Sequence, residues 1–301
     1  MNLKKLLAAT CATMLIHSAA LSAGNENSLS EVKAAEIDYD MDTEIIQATG
    51  KVELKHDSKK QNAAADIPSE VNADSVDYDM KTGVVTASGN VLLKYGEDRA
   101  TGGRAMYNTN TQEAYLVGDV IVNRGDLRIT CDTLSNDGNG HMQADGNVHG
   151  VQTVSPDAKN PHGDTRTFTG DRVDYYPNEK KHVIIPGGGL VTTSDGRFTA
   201  DQMEGWIDDE YYIGTGNVHI VNPPRDLEAG GDRIDYYAAE NGKAILTGSA
   251  WANQKNNTMR GNRLTVYLND DKDNPAPMTA PKTLHVTPHE LLTGEPFKNE
   301  Y

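Results

Sequence analysis

Asp74-Ser75-Val76-Asp77-Tyr78, a polar turn, and then Val85-Thr86-Ala87-Ser88-Gly89-Asn90-Val91-Leu92-Leu93 form the stretch that decides the fold. Both halves alternate apolar and polar residues with a period of two, the pattern of a strand with one buried and one wet face. Val76 and Tyr78, then Val85, Ala87, Gly89, Val91 and Leu93, share one face. Ser75, Asp77, Thr86, Ser88, Asn90 and Lys94 share the other, with Leu92 the exception. The unit is two strands and a turn.

Working outward, the same unit recurs along the chain. The tyrosine-to-glycine interval is 11 residues from Tyr39 to Gly50, from Tyr78 to Gly89 and from Tyr107 to Gly118. Further copies run from Asp132 to Gly146-Asn147-Val148 and from Asp171-Arg172-Val173-Asp174-Tyr175 to Gly188-Gly189-Leu190. Others run from Asp201 to Gly216-Asn217-Val218 and from Asp232-Arg233-Ile234-Asp235-Tyr236 to Gly248, and Asn262 to Leu268 is a final half copy. The glycines recur at 39, 29, 28, 42, 28 and 32 residues, a period of 28 to 29 with two insertions. One unit cannot bury its apolar face alone, so successive units must stack around a shared interior. The expected fold is all-β, an elongated, solenoid-like stack of two-strand units over residues 31–268.

Parity selects the inward set in each copy. It gives Ile37, Tyr39, Ile46, Ala48, Val52 and Leu54 in the first, and Val76, Tyr78, Val85, Ala87, Val91 and Leu93 in the second. It gives Ala114, Leu116, Val120 and Val122 in the third, and Tyr212, Gly214, Val218 and Ile220 in the sixth. Val148 and Leu190 hold the equivalent position after their glycines. A filled core is the ordinary account of any one such residue. The small residues Ala48, Ala87 and Ala144 and the glycines leave an interior thinly filled, as a lipid slot requires.

Outside the repeat, Lys4 and Lys5, the mostly apolar run Leu6–Leu21 and the small residues that follow read as a secretory signal peptide over 1–23. Its removal would take Cys11 away and leave Cys131 as a lone cysteine, so no internal disulfide is expected, and a small strand residue is the expected role. Segments 55–72 and 151–167 read as surface loops, and 269–301 as a flexible tail. The formal charge of −16 becomes −18 without the two leader lysines, which argues against nucleic acid, whose phosphates demand Lys and Arg.

The repeated Gly-Asn-Val at 89–91, 146–148 and 216–218, spaced from an Asp-x-[Val/Ile]-x-Tyr strand, resembles the OstA-like repeat of the LptA family. That resemblance implies a twisted, V-shaped β-jellyroll, open along one side, whose apolar interior shelters lipopolysaccharide acyl chains. It implies a periplasmic bridge protein that carries lipopolysaccharide from the inner to the outer membrane, with copies joined end to end. Its partners would be an LptC-type inner-membrane transporter complex and an LptD-type outer-membrane translocon. No catalytic residue, cofactor or metal is implied, and the inward set above would be the lipid groove.

Two other readings compete. A β-helix polysaccharide lyase or hydrolase would also show stacked strands and many carboxylates. Asp77, Asp174 and Asp235 recur at one repeat position, which suits a solvated outer face better than a catalytic pair. A β-solenoid adhesin or scaffold would share the repeat and the leader. His141, His149, His182 and His219 lack metal-ligand spacing and are expected as exposed strand or turn residues. Gly187-Gly188-Gly189 is expected as a turn or bulge. Lys94, Arg99, Arg104, Arg124 and Arg128 are expected as scattered surface charges, with lipid phosphates at the groove rim as the alternative.

Overall fold

The computed structural model describes residues 31–56, 69–156, 163–240, 242–268 and 284–285. The leader expected over 1–23 lies outside them, as do 57–68 and 157–162 and, apart from 284–285, the tail. The strands reach into both expected loops, because Lys55 and His56 end one strand and Ser69–Asn72 open the next, and Val151–Val154 and Asp164–Thr167 are also paired strand.

Two compact units are formed, one by the chain through Gly150 with Asp174–Pro177, the other by Val151–Val173 and the chain from Asn178 on. The first contains β1 (Glu31–Lys33), β2 (Glu36–Asp40), β3 (Ile45–His56), β4 (Ser69–Asp79), β5 (Val84–Tyr95), β6 (Asp98–Asn108), β7 (Glu113–Arg124) and β8 (Leu127–Asp137). β9 (Met142–Val154) and β10 (Asp164–Tyr176) are divided between the units. The second contains β11 (His182–Ile185), β12 (Gly189–Thr193), β13 (Gly196–Ala200), β14 (Gln202–Trp206), β15 (Tyr211–Asn222), β16 (Leu227–Tyr237), β17 (Lys243–Gln254), β18 (Asn257–Tyr267) and β19 (Leu284–His285). From β2 to β8, and again from β14 to β18, each strand pairs antiparallel with the next. The all-β architecture expected from the alternation is observed.

The Gly-Asn signature is a corner within a strand. Gly89 and Asn90 both have positive φ, +76° and +48°, and two residues there face one on the neighbouring strand. A residue inserted in this way bends a strand and sharpens its twist. A Cβ on Gly89 would overlap the Asp74 carboxylate, so only glycine fits, and Asn90 then donates its Nδ2 to Asp74 Oδ2 at 2.8 Å. The same pair recurs as Asn147 to Asp132 at 3.0 Å and Asn217 to Asp201 at 2.8 Å. This is why the repeat joins an aspartate to a Gly-Asn about 15 residues later. The same device shifts parity on the aspartate strand, where burial runs Val71, Ala73 and then Val76.

The outer face of the second unit carries an in-register row of rings. His182 stacks on Trp206 at 4.5 Å between centroids, Trp206 on Tyr211 at 5.6 Å, and Tyr211 on Tyr237 at 5.0 Å, with Lys243 over Tyr237. The near-parallel planes match the strand spacing, so the rings stand on edge and cover one another's faces.

Candidate functional site: an apolar slot

In the first unit the inward residues assemble into registered rows. Before the corner, one row runs Tyr39, Ile46, Tyr78, Val85, Tyr107, Ala114. Beside it runs Ile37, Ala48, Val76, Ala87, Ala105, Leu116, Leu134. After the corner a third runs Val32, Leu54, Val71, Leu93, Ala100, Val122, Ile129. Leu54, Val71 and Leu93 from one side and Val85, Ala87, Ala105, Tyr107 and Leu116 from the other line a common cavity of about 50 Å³. The two halves of each bent strand therefore face one slot.

No charged side chain lines it. Burial pushes the Tyr107 hydroxyl upward from its ordinary pKa, which keeps it neutral. Along the first two rows burial falls off toward the end strand: Leu116 is 0% exposed, whereas Ile37 and Tyr39, inward by parity, are 53% and 49% exposed. An apolar cavity of about 150 Å³ holds one benzene. The slot is thus about a third of that volume.

The residues expected at the groove divide by burial. Ala48, Val52, Leu54, Val76, Val85, Ala87, Val91, Ala114, Leu116, Val120, Val122, Val148, Val218 and Ile220 are buried. Ile46, Tyr78 and Leu93 are half-buried. Leu190 is a correction: Val191 is the buried neighbour, paired with inward Phe198, and Leu190 takes the other face opposite Thr199. Gly187 and Gly188, at φ +79° and +100°, make the corner one residue earlier than the Gly-Asn-Val alignment implied. Parity from the sequence missed Val71, Ala73, Ala100 and Ala105.

The second unit turns large rings inward. Tyr212 and Tyr236 are 2% and 1% exposed, and Gly205 makes room for the first, since a Cβ there would lie 2.5 Å from Tyr212 Cδ1. Gly214 does the same for Phe198, at 2.6 Å from Cζ. Val218 and Ile220 are buried in the same unit as these rings.

Several polar expectations change. His182 is buried against Trp206 with its Nε2 2.7 Å from Glu204, and His141 Nε2 lies 2.9 Å from Asp174, so neither is a free surface histidine. Asp174 is buried, and Asp235 accepts from Arg233 through two nitrogens and from the Tyr211 hydroxyl at 2.5 Å. These equivalents of Asp77 are thus tied into local pairs rather than solvated. Lys94 pairs with Glu70 at 2.7 Å and Arg124 with Asp98 at 3.6 Å, and Lys94, Arg99, Asn123 and Arg128 align across the strands on the face opposite the slot. Cys131 is buried among the inward residues, and burial pushes its thiol up to about 11.

Among the described residues no group of three or more His, Cys, Asp or Glu side chains could hold a metal ion, and no helix is long and apolar enough to cross a membrane. Fold and site together define an antiparallel β-repeat protein with an apolar slot between the halves of its bent strands. No family model matches the sequence, and no curated protein does. Among solved structures the chain is similar to LptH, the LptA homologous periplasmic component of the conserved lipopolysaccharide transport device from Pseudomonas aeruginosa. The TM-score is 0.36 with 15% identity, over 42% of this chain and 95% of that one.

Proposed function

We propose that the protein is a periplasmic, non-enzymatic lipopolysaccharide carrier whose first unit shelters acyl chains in the slot between its strand halves. The observation that carries this reading is the uncharged slot together with the registered inward rows that run from it to the exposed Ile37 and Tyr39. Each methylene that leaves water for such a slot contributes about 0.8 kcal/mol, so a chain several carbons long binds without any reaction. The repeated Gly-Asn-Val register, which resembles the LptA repeat, supports lipopolysaccharide as the lipid.

In this reading the protein bridges an LptC-type inner-membrane complex to an LptD-type translocon. β2 contributes to the bridge, because it pairs only with β3 among the described residues and leaves inward apolar side chains exposed. Strands of a partner or of a second copy would extend the row there by edge addition, heterologously and without closing. The test is mass spectrometry of lipid bound to protein purified from its native envelope. Lipopolysaccharide at near one molecule per chain is expected, and a lipid-free protein located at the cell surface would favour the adhesin instead.

A further inference from the structure

Carboxylates outnumber Lys and Arg 44 to 28 in this chain, so cations gather only against the general balance of charge. They gather on the outer face of β5–β8. Lys94 lies directly opposite Arg99 across β5 and β6, a like-charge pair that weakens a sheet. Arg128 shares their row two strands further on and donates to the neutral Asn123 side-chain oxygen at 3.2 Å. Arg104, opposite the outward Ser88, stands on the same face, and among the described residues neither it nor Arg99 makes an ion pair. Apolar side chains are exposed beside it. Met106 faces Tyr115 and Val117 faces Arg104, and the three apolar residues are 37%, 43% and 36% exposed. Alternation calls for polar residues here, and the flanking strands supply them, Thr86 and Ser88 on β5 and Thr133 and Ser135 on β8. One exposed apolar residue is ordinary, whereas three in adjoining register beside arginines make a surface both cationic and apolar.

We propose that this face docks the protein on an anionic phospholipid surface, with Arg99, Arg104 and Arg128 on headgroup phosphates and Met106, Tyr115 and Val117 at the headgroup boundary. A guanidinium matches a phosphate through two parallel N–H donors, and it keeps its charge at any working pH. A tyrosine suits the boundary because its ring is apolar and its hydroxyl end is wet. The formal charge of −16 does not prevent the contact. Salt screens carboxylates more than about 8 Å from the surface, while the arginines lie on the contact itself. The inference goes beyond the carrier reading, because it uses the face opposite the slot. The lipids met there are the phospholipids of the surface, and a carried lipid stays on the other side of the sheet.

The test floats protein purified from its native envelope with vesicles free of lipopolysaccharide, made of phosphatidylcholine alone or of phosphatidylcholine and phosphatidylglycerol in equal parts. Flotation is expected with the anionic vesicles only, and high salt should reverse it. Each arginine contributes about fivefold to partitioning on such a surface, so Arg99→Gln with Arg104→Gln should lower it about 25-fold. Tyr115→Ser with Val117→Ser should lower it as well. The control is Arg197→Gln with Arg260→Gln, two exposed arginines of the second unit, which removes the same charge and should float like the native chain. An unchanged urea midpoint shows that each variant is folded. Anionic vesicles that rise without the protein, equal flotation on both vesicles, or equal losses in the two arginine variants overturn the docking face, and the first of these points to a protein partner instead. Lipopolysaccharide binding by the same proteins reads the carrier separately. Flotation without lipopolysaccharide binding keeps the docking face and sinks the carrier, and the reverse sinks the docking face alone.

Discussion

Replacing Gly89 by alanine tests whether the corner is what folds each strand around the slot, and Gly125 supplies the control. Both residues have positive φ, +76° and +53°. An L-residue there costs about 1–2 kcal/mol by Cβ–carbonyl crowding. At Gly125 a Cβ meets nothing within 4 Å, so Gly125→Ala should cost that amount and no more. At Gly89 the new Cβ overlaps Asp74 Oδ2 and lies 2.9 Å from Asp74 Cβ. Asp74 must swing away, and the 2.8 Å bond from Asn90 is lost with it. Adding about 0.5–1.5 kcal/mol for that bond, Gly89→Ala should cost roughly 1.5–3.5 kcal/mol in total. Urea unfolding reads the difference as a lower midpoint at unchanged slope. In an Asp74→Gly background the collision is gone, so the added cost of Gly89→Ala should fall to that of Gly125→Ala. Equal costs of the two alanine substitutions in the native background would refute the corner argument.

Other outcomes follow from single residues. Asn222 is 1% exposed, shares the parity of Val218 and Ile220, and has no partner for its side-chain amide among the described residues, so Asn222→Leu should raise stability by about 1–3 kcal/mol; a lowered thermal midpoint would contradict this. Burial opposes ionisation of Asp235, yet the bonds from Arg233 and Tyr211 outweigh it and hold its pKa below the usual value. Its contribution is therefore complete above the unfolded pKa of about 3.9 and lost as pH falls through the lower folded value. Arg233→Ala leaves burial less opposed, so the acid-unfolding midpoint should move to higher pH, and an unmoved midpoint counts against the pair. Cys131 should resist maleimide at neutral pH in the folded protein and react fully in denaturant, because the buried thiol titrates only near 11; rapid labelling of the folded protein would show that the strand opens.

Much of the fold was legible because a strand has a fixed period of two and the corner accepts so few residues. Ser88, Asn90 and Val91 fell on the expected faces. What escaped were consequences of pairing between distant residues. The aspartate strand loses one residue of phase opposite each Gly-Asn, which hid Ala73, and a loop boundary drawn at Asn72 hid Val71. Tyr78 and Tyr236 hold the same repeat position, yet one is half-buried and the other closed in. Neighbours on other strands decide which occurs, as Gly205 does for Tyr212, and no single repeat states them. The stacked row of His182, Trp206, Tyr211 and Tyr237 likewise exists only once four strands are in register.

The central claim is that lipid enters the slot of the first unit, and site-specific photocrosslinking tests it most directly. A photoreactive residue at Leu93 or Tyr107, half-buried and facing the slot, should capture lipopolysaccharide in cells, as should one at Ile46 or Tyr78 along the open rows. One at Ser88 or Asn90, on the outer face of the same strand as Leu93, should not. Val91 and Leu116, at 1% and 0% exposed, should capture less than Leu93, since protein already covers them. Capture confined to the inward positions is the predicted result, and equal capture at Leu93 and Asn90 would contradict the account.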